Sequence, residues 1–311
     1  MNGEAHHAAS DLEVARCFTT GLLLEAISQP KPGLVDRIKR LKELDLFKLS
    51  ASAVSLHPFF AESSRLGRRG RTRNRLGKLI LEAVGVTLRV QRGGNTHLGS
   101  VLLTMPLAAG AGSLVGEAVK PEALRRAAVK ALRGLGWLDA VNIFRAISLV
   151  GPGGLGRVPF LDVNSSETYD FLRRRRAGPL EALEPYRGRD MVADELLDGY
   201  PLLFGRALKT LMETQEDKDE FLETACVNAL LSVMASRPDT HIVRRRGLHV
   251  ARIVQSMAAE VLRLGGAASK EGLKAALELD DYLRRVDARP GSSADILGAS
   301  IGVLLLTGLR V

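Results

Sequence analysis

From Leu98 to Val115 the chain carries no charged residue. A stretch like this has two outlets, a lipid bilayer or the middle of a helical protein. Its composition points to the second: Ala, Gly, Ser and Thr are as frequent as Leu, and Pro106 interrupts it. Small residues let neighbouring helices close in. The segment is expected to be a buried central helix, with no membrane span.

The surrounding patterns are helical too. Ser10-Asp11-Leu12-Glu13 has capping-box spacing, and a helical pattern follows through Phe18, Leu22 and Ala26 until Pro30 and Pro32 stop it. Asp45 is placed to cap a second helix carrying Phe47, Val54 and Phe60. A third runs through Leu76, Ile80, Ala83 and Val90, and Asn95 or Thr96 can cap the uncharged one. Further patterns cover 127–132, 138–150, 191–212, 220–234, 250–264, 270–286 and 294–309. Alternating β-branched runs are nearly absent, Ile242-Val243 being too short for a strand. Neither a repeat nor a low-complexity linker divides the chain. The expected fold is all-α, a single-domain multi-helix bundle with functional Gly/Pro-rich loops. Residues 1–10 are expected to be a flexible tail and 11–311 the domain.

Composition bounds the function. The 311 residues include 44 Lys+Arg and 35 Asp+Glu, a net +9 that favours anionic partners such as phosphorylated small molecules or nucleic acid. Cys17 and Cys226 lie among apolar neighbours and read as buried, reduced thiols. Residues 1–10 lack the apolar core of a secretory signal, so the expected location is cytoplasmic.

The chemistry-bearing residues sit in loops. Gly151-Pro152-Gly153-Gly154-Leu155-Gly156 matches G-x-G-x-x-G but follows a helical pattern, which excludes a Rossmann turn. A site-shaping glycine loop and a plain turn both remain open. Arg92-Gly93-Gly94-Asn95-Thr96-His97-Leu98-Gly99 combines permissive backbone, a cation and a helix N-terminus, all suited to an anion; a simple capped turn accounts for it equally. Pro30-Lys31-Pro32-Gly33-Leu34-Val35-Asp36 is a stiff segment holding a Lys and an Asp. Asp239-Thr240 precedes Arg244-Arg245-Arg246, an arrangement suited to magnesium and phosphate or to a self-neutralising loop. Ser292 and Ser293 are placed to cap the last helix, with Asp295 following.

Several devices are missing: there is no G-x-S-x-G, no Walker A sequence, no H-E-x-x-H and no zinc-ligand spacing. The basic runs at 65–78 and 173–176 lack interleaved aromatics, so they read as solvated faces rather than nucleic-acid surfaces.

In this order the loops resemble the triphosphoribosyl-dephospho-CoA synthase family. The matching residues are Glu25 with Pro30 to Asp36, Asn95 to Gly99, Pro152 to Gly156, Asp239-Thr240, and Pro290-Gly291-Ser292-Ser293-Ala294-Asp295, with a weaker match over Asp194 to Phe204. Two departures stand out. Leu98 replaces a Lys of the bacterial pattern, and a Gly-Ala-His-x-Asp-Met stretch is absent, leaving Asp45 alone, which resembles an archaeal branch.

The resemblance implies an all-α enzyme acting on ATP and dephospho-CoA. An acceptor ribose hydroxyl would attack the anomeric carbon of ATP, and adenine would leave. It implies Asp36, Asp239 and His97 as catalytic residues. Nucleotide binding would fall to Lys31, Gly33, Arg92, Asn95, Thr96, Gly99, Gly153, Gly154, Thr240, Arg246, Ser292 and Ser293. Asp239 and Asp295 would hold Mg2+. Two alternatives stand beside it: nucleotide ribosyl transfer or N-glycosidic hydrolysis with another acceptor, and a helical nucleic-acid binder. A homodimer is also compatible with the sequence.

Overall fold

The computed structural model describes residues 9–92, 94–114, 116, 119–151, 161–216 and 222–309. Among them there is no β-strand. The chain begins with α1 (Asp11–Ile27), α2 (Leu46–Ser55), α3 (His57–Arg68), α4 (Leu76–Arg89) and α5 (Leu98–Ser113). It continues with α6 (Pro121–Arg133), α7 (Trp137–Val150), α8 (Ser166–Arg175), α9 (Pro179–Leu183) and α10 (Met191–Asp198). The last are α11 (Lys209–Glu216), α12 (Leu222–Ser236), α13 (Thr240–Arg263), α14 (Lys270–Arg285) and α15 (Gly291–Leu306).

Local capping sets several helix starts as expected. Ser10 Oγ accepts from the Glu13 N–H at 3.1 Å, Asp45 Oδ1 from Lys48 at 2.9 Å, and Asn95 Oδ1 from Leu98 at 3.1 Å. Elsewhere tertiary demands override the pattern. The expected second helix is two, α2 and α3, divided at Leu56 with Pro58 in the first turn of α3. Phe47 and Val54 face solvent. The expected helix over 191–212 breaks at Gly199 and Tyr200, both at positive φ, before a π-helical turn at Leu203–Leu208 leads into α11. Fully buried Glu195 accepts the Leu202 and Leu203 N–H groups there, both at 2.9 Å, so the break is closed by a side chain. Periodicity gave no sign of α8 or α9. Ser292 and Ser293 lie inside the first turn of α15 rather than capping it.

The uncharged segment is the central helix. Every residue of α5 from Leu98 to Gly112 is buried. Gly67 of α3 rests on the Ala109 carbonyl and Gly112 on the Ser64 carbonyl, so α3 and α5 meet backbone to backbone. The pair α1 and α15 is built alike. A Cβ at Gly21 would lie 2.6 Å from the Gly302 nitrogen and 2.7 Å from the Gly298 oxygen. A Cβ at Gly298 would stand 3.0 Å from Leu22 and 3.6 Å from the Cβ of Glu25. Forcing a methyl into such contacts typically costs about 1–3 kcal/mol. One continuous apolar core runs from Val14 to Leu306, and no helix among the described residues is long and apolar enough to cross a membrane.

Candidate active site

Helix ends and loops far apart in sequence enclose a cavity of ≈ 400 Å³, within the range of small-molecule sites. Glu25 comes from the end of α1, Lys31 from the proline segment, and Asn95, Thr96, His97 and Gly99 from the entry to α5. Gly151 closes α7, His241, Arg244 and Arg245 open α13, and Arg289, Ser292 and Asp295 lead into α15. Two sets of apolar residues complete the lining: Leu34, Val35, Leu41, Leu44 and Leu49 from the loop after α1 and from α2, and Ile147, Val150, Leu183, Tyr186 and Leu196 from the middle of the chain.

The floor carries paired and shifted charges. Lys31 is buried and donates from Nζ to the Glu25 carbonyl and to Glu25 Oε1, each at 2.6 Å. Asp295 Oδ1 accepts from the Ser100 N–H at 2.8 Å and from its hydroxyl at 2.5 Å. Its Oδ2 lies over Gly99, in the space a side chain there would fill, and accepts no hydrogen bond among the described residues. Burial pushes the Asp295 carboxyl up to about 7 against the Ser100 hydrogen bonds, and the negative neighbours Glu25 and Asp239 add to the rise. His97 Nε2 lies 3.2 Å from the Leu49 carbonyl and donates to it. Burial, with Lys31 nearby, lowers this imidazole to about 4, so it is neutral at physiological pH.

The rim is basic. Arg289 reaches Glu43 and Asp287 at 3.2 Å, and Arg244 pairs with Asp190 at 2.5 Å. Nε of each guanidinium is buried with no acceptor among the described residues. Buried cationic donors without acceptors are costly, and an anion at this rim would satisfy both. Burial lowers the His241 pKa, with Asp239 opposing and the neighbouring arginines reinforcing the shift.

Other expected site residues do not line this cavity. Asp36 closes its own turn, its Oδ1 accepting from Ile38 at 2.8 Å and Lys39 at 2.6 Å. Gly33, at φ +72°, donates to Asp280 Oδ1 at 2.7 Å, which pins the proline segment to α14. Asp239 caps α13 through Oδ1, accepting from His241 at 2.8 Å and Ile242 at 3.3 Å. Its Oδ2 accepts from the Ser293 N–H at 2.8 Å and hydroxyl at 2.7 Å, tying α13 to α15. Both oxygens are engaged, so Asp239 fits a joint between helices rather than a metal ligand. Thr240 Oγ1 accepts from the Met191 N–H at 2.9 Å and bonds Ser292 Oγ at 3.2 Å. Arg246 turns away to Asp287, and Arg92 is exposed outside the cavity lining. Gly153 and Gly154 lie outside the described residues. Two lining residues had no expected role: Arg289, one position before the Pro290 motif, and Arg245, in the middle of the run 244–246.

The sequence model of the ATP:dephospho-CoA triphosphoribosyl transferase family matches residues 11–310. The chain belongs to this family. It is therefore a transferase of the triphosphoribosyl-dephospho-CoA synthase type. A protein of Azotobacter vinelandii (strain DJ) is 31% identical over 288 residues, covering 90% of this chain and 86% of that protein. One from Pseudomonas syringae pv. syringae (strain B728a) is 28% identical over 303 residues, covering 95% and 92%. Both carry the designation 2-(5''-triphosphoribosyl)-3'-dephosphocoenzyme-A synthase. A crystal structure from Archaeoglobus fulgidus, designated a triphosphoribosyl-dephospho-CoA synthase, superposes with a TM-score of 0.63 at 23% identity. It covers 84% of this chain and 99% of that one, a likeness of fold.

In this transferase the basic run at 65–78 is a surface feature. Arg69, Arg71, Arg73 and Arg75 are exposed and do not line the cavity. At the start of the run Arg65 meets Glu62 at 2.5 Å and Arg68 meets Asp11 at 3.2 Å. Reversing the charges of Arg69, Arg71 and Arg73 to Glu is expected to leave adenine release within about twofold of wild type. A collapse of turnover in the folded variant would assign the run a functional role.

Proposed function

We propose that this chain moves the 5-triphosphoribosyl group of ATP onto a ribose hydroxyl of 3'-dephospho-CoA, with Asp295 as the base. The acceptor oxygen bonds to C1 of the ATP ribose as the C1–N9 bond breaks. The electron pair of the broken bond leaves on adenine, and the hydroxyl proton, first taken by Asp295, balances the adenine released. The observation that carries this reading is the pairing of one cavity's two ends. Its floor has a carboxyl whose pKa, about 7, suits proton transfer at neutral pH, and its rim has two arginines with unsatisfied buried donors.

Glu25 supplies a second negative charge beside Asp295, suited to the positive character that develops at C1. Lys31 holds that carboxylate in one position. Asn95, Thr96 and Ser292 offer polar groups for the ribose hydroxyls, and the apolar walls suit the two adenines. Arg244 and Arg289, with Arg245 beside them, bind the triphosphate in place of Arg92 and Arg246.

Magnesium accompanies ATP in most phosphate sites, held largely by phosphate oxygens and water. No cluster of three metal-ligating side chains occurs among the described residues. Asp239 is fully engaged, and Asp295, half protonated near neutrality, is a poor ligand. Neither expected ligand fits, and the steps above use none.

The test is to incubate the protein with ATP, magnesium and dephospho-CoA and follow free adenine by chromatography. Adenine should appear only with the acceptor; acceptor-independent release would instead indicate hydrolysis. Arg289→Ala is expected to raise the KM for ATP by about tenfold or more, the scale of a lost charge-assisted contact. An unchanged KM would remove Arg289 from the triphosphate site.

A further inference from the structure

A second cavity of ≈ 470 Å³ adjoins the first. Tyr186, Asp190 and Arg244 line both, so the Arg244–Asp190 ion pair and the Tyr186 ring form a shared wall. Asp190 is fixed in that wall because its other oxygen caps α10, accepting from the Ala193 N–H at 3.0 Å. On the far side stand Arg189 and Arg237, together with the apolar surfaces of Pro238, Val243 and Leu248.

The charges here are unequal. Arg237 is paired with Asp194 at 2.8 Å and Arg244 with Asp190, but Arg189 is exposed and has no ion pair among the described residues. Arg244 in addition keeps its buried Nε without an acceptor. Leu248 is exposed because the helix breaks at Gly247, where φ is 86° and ψ 163°. The break turns an apolar side chain towards a cavity mouth that also carries Arg189, Arg237 and Arg244. A site with an uncompensated guanidinium and an adjacent apolar strip suits a ligand that joins an anion to an apolar chain.

The proposed reaction needs such a place. Both substrates carry polyphosphates that survive the chemistry, and both must reach one C1 centre. Two polyanions converging on one point repel each other unless separate cations receive them. The first cavity's rim offers Arg245 and Arg289 to one of them. The triphosphate of ATP ends in phosphate and has no apolar continuation, whereas the diphosphate of dephospho-CoA continues into the pantetheine arm with its gem-dimethyl group.

We infer that the second cavity is the acceptor's subsite, in which Arg189 and Arg237 receive the diphosphate and Leu248 carries the start of the pantetheine arm, while Arg244 separates the two polyphosphates. This rests on the activity proposed above. The subsite also explains the three consecutive arginines at the start of α13: Arg245 serves the first cavity, Arg244 the wall, and Arg246 the Asp287 anchor.

The test uses two surface variants, Arg189→Ala and Leu248→Glu, each checked for wild-type circular dichroism and melting temperature. Adenine release is followed while ATP and dephospho-CoA are varied in turn. The KM for dephospho-CoA should rise about tenfold in each variant, with the KM for ATP within about twofold of wild type. Equal KM values for dephospho-CoA in wild type and both variants would overturn the subsite. So would a rise in the KM for ATP as large as that for the acceptor, which would put the triphosphate in the second cavity. If wild-type protein releases no adenine with dephospho-CoA, the activity itself is overturned. Calorimetric titration of dephospho-CoA into wild type and Arg189→Ala then decides the subsite separately, equal affinities overturning it.

Discussion

Asp295→Asn is expected to lower adenine release by on the order of a hundredfold to ten-thousandfold while leaving the fold intact. Asn keeps the shape and the oxygen that accepts from Ser100, and loses only the ability to take a proton. The wild-type pH profile should carry the same signature. A base works ionised, and this carboxyl is raised to about 7, so kcat/KM should climb with pH through that value and level off above it. The variant should lose this limb of the profile. A profile that is flat from pH 5 to 9 in the wild type would remove Asp295 from the proton transfer.

The same residue makes a prediction about stability with the opposite sense. An acid whose pKa is raised on folding binds its proton more tightly in the native state than in the unfolded chain. From the ordinary value of 3.8 up to about 7, rising pH therefore takes stability away. Above pH 7 that loss is complete, and Asp295→Asn, which never ionises, should melt a few degrees higher than wild type. Below about pH 4 the two should converge. Buried Glu195, raised to about 7 by desolvation, adds a loss of the same sign that both proteins share. Thermal melts across this range check the difference, and an equal or lower melting point for the variant at pH 8 would contradict it.

The largest stability effect is expected at Lys31→Met. Lys31 and Glu25 form a buried ion pair at 2.6 Å, so removing the ammonium strands a carboxylate in a poorly solvated site. Breaking such a pair costs about 3–5 kcal/mol, whereas replacing both members by neutral groups costs far less. The double variant Glu25→Gln with Lys31→Met should therefore be more stable than Lys31→Met alone in denaturant titrations. Both should be nearly inactive, because Glu25 then lacks either its partner or its charge. A double variant no more stable than the single one would mean that the pair is not coupled.

Local signals were readable in the chain, and distant ones were not. Ser10, Asp45 and Asn95 all cap helices through partners three residues away, a span on which sequence spacing is a reliable guide. Asp239 was recognisable as unusual, but its task depends on Ser293, 54 positions on, and no local pattern reveals that a carboxylate is already saturated. The arginines 244 to 246 illustrate the same limit. Successive residues on a helix point about 100° apart, so only one or two of three neighbours can face a given cavity, and the choice depends on how α13 is seated. Asp36 misled for a related reason: a rigid proline segment suggested a held catalytic group, whereas the carboxylate is what closes the turn. The all-α reading succeeded because it needed only the missing β pattern and one uncharged helix.

Gly21, Gly298 and Gly302 bring α1 and α15 into main-chain contact, and Glu25 and Asp295 sit on those two helices. The gap between the two acids is therefore gauged by bare backbone, which has no rotamers to relax and no side-chain length to vary. Gly99 lies under the free oxygen of Asp295, so that acid is seated against a missing methyl group. A tolerance this fine is one hydrogen atom wide. Any redesign of the site for another acceptor can alter walls and rim freely, but a single carbon added at position 99 would move Asp295 itself, and one at position 21 would part the two helices that carry the acids.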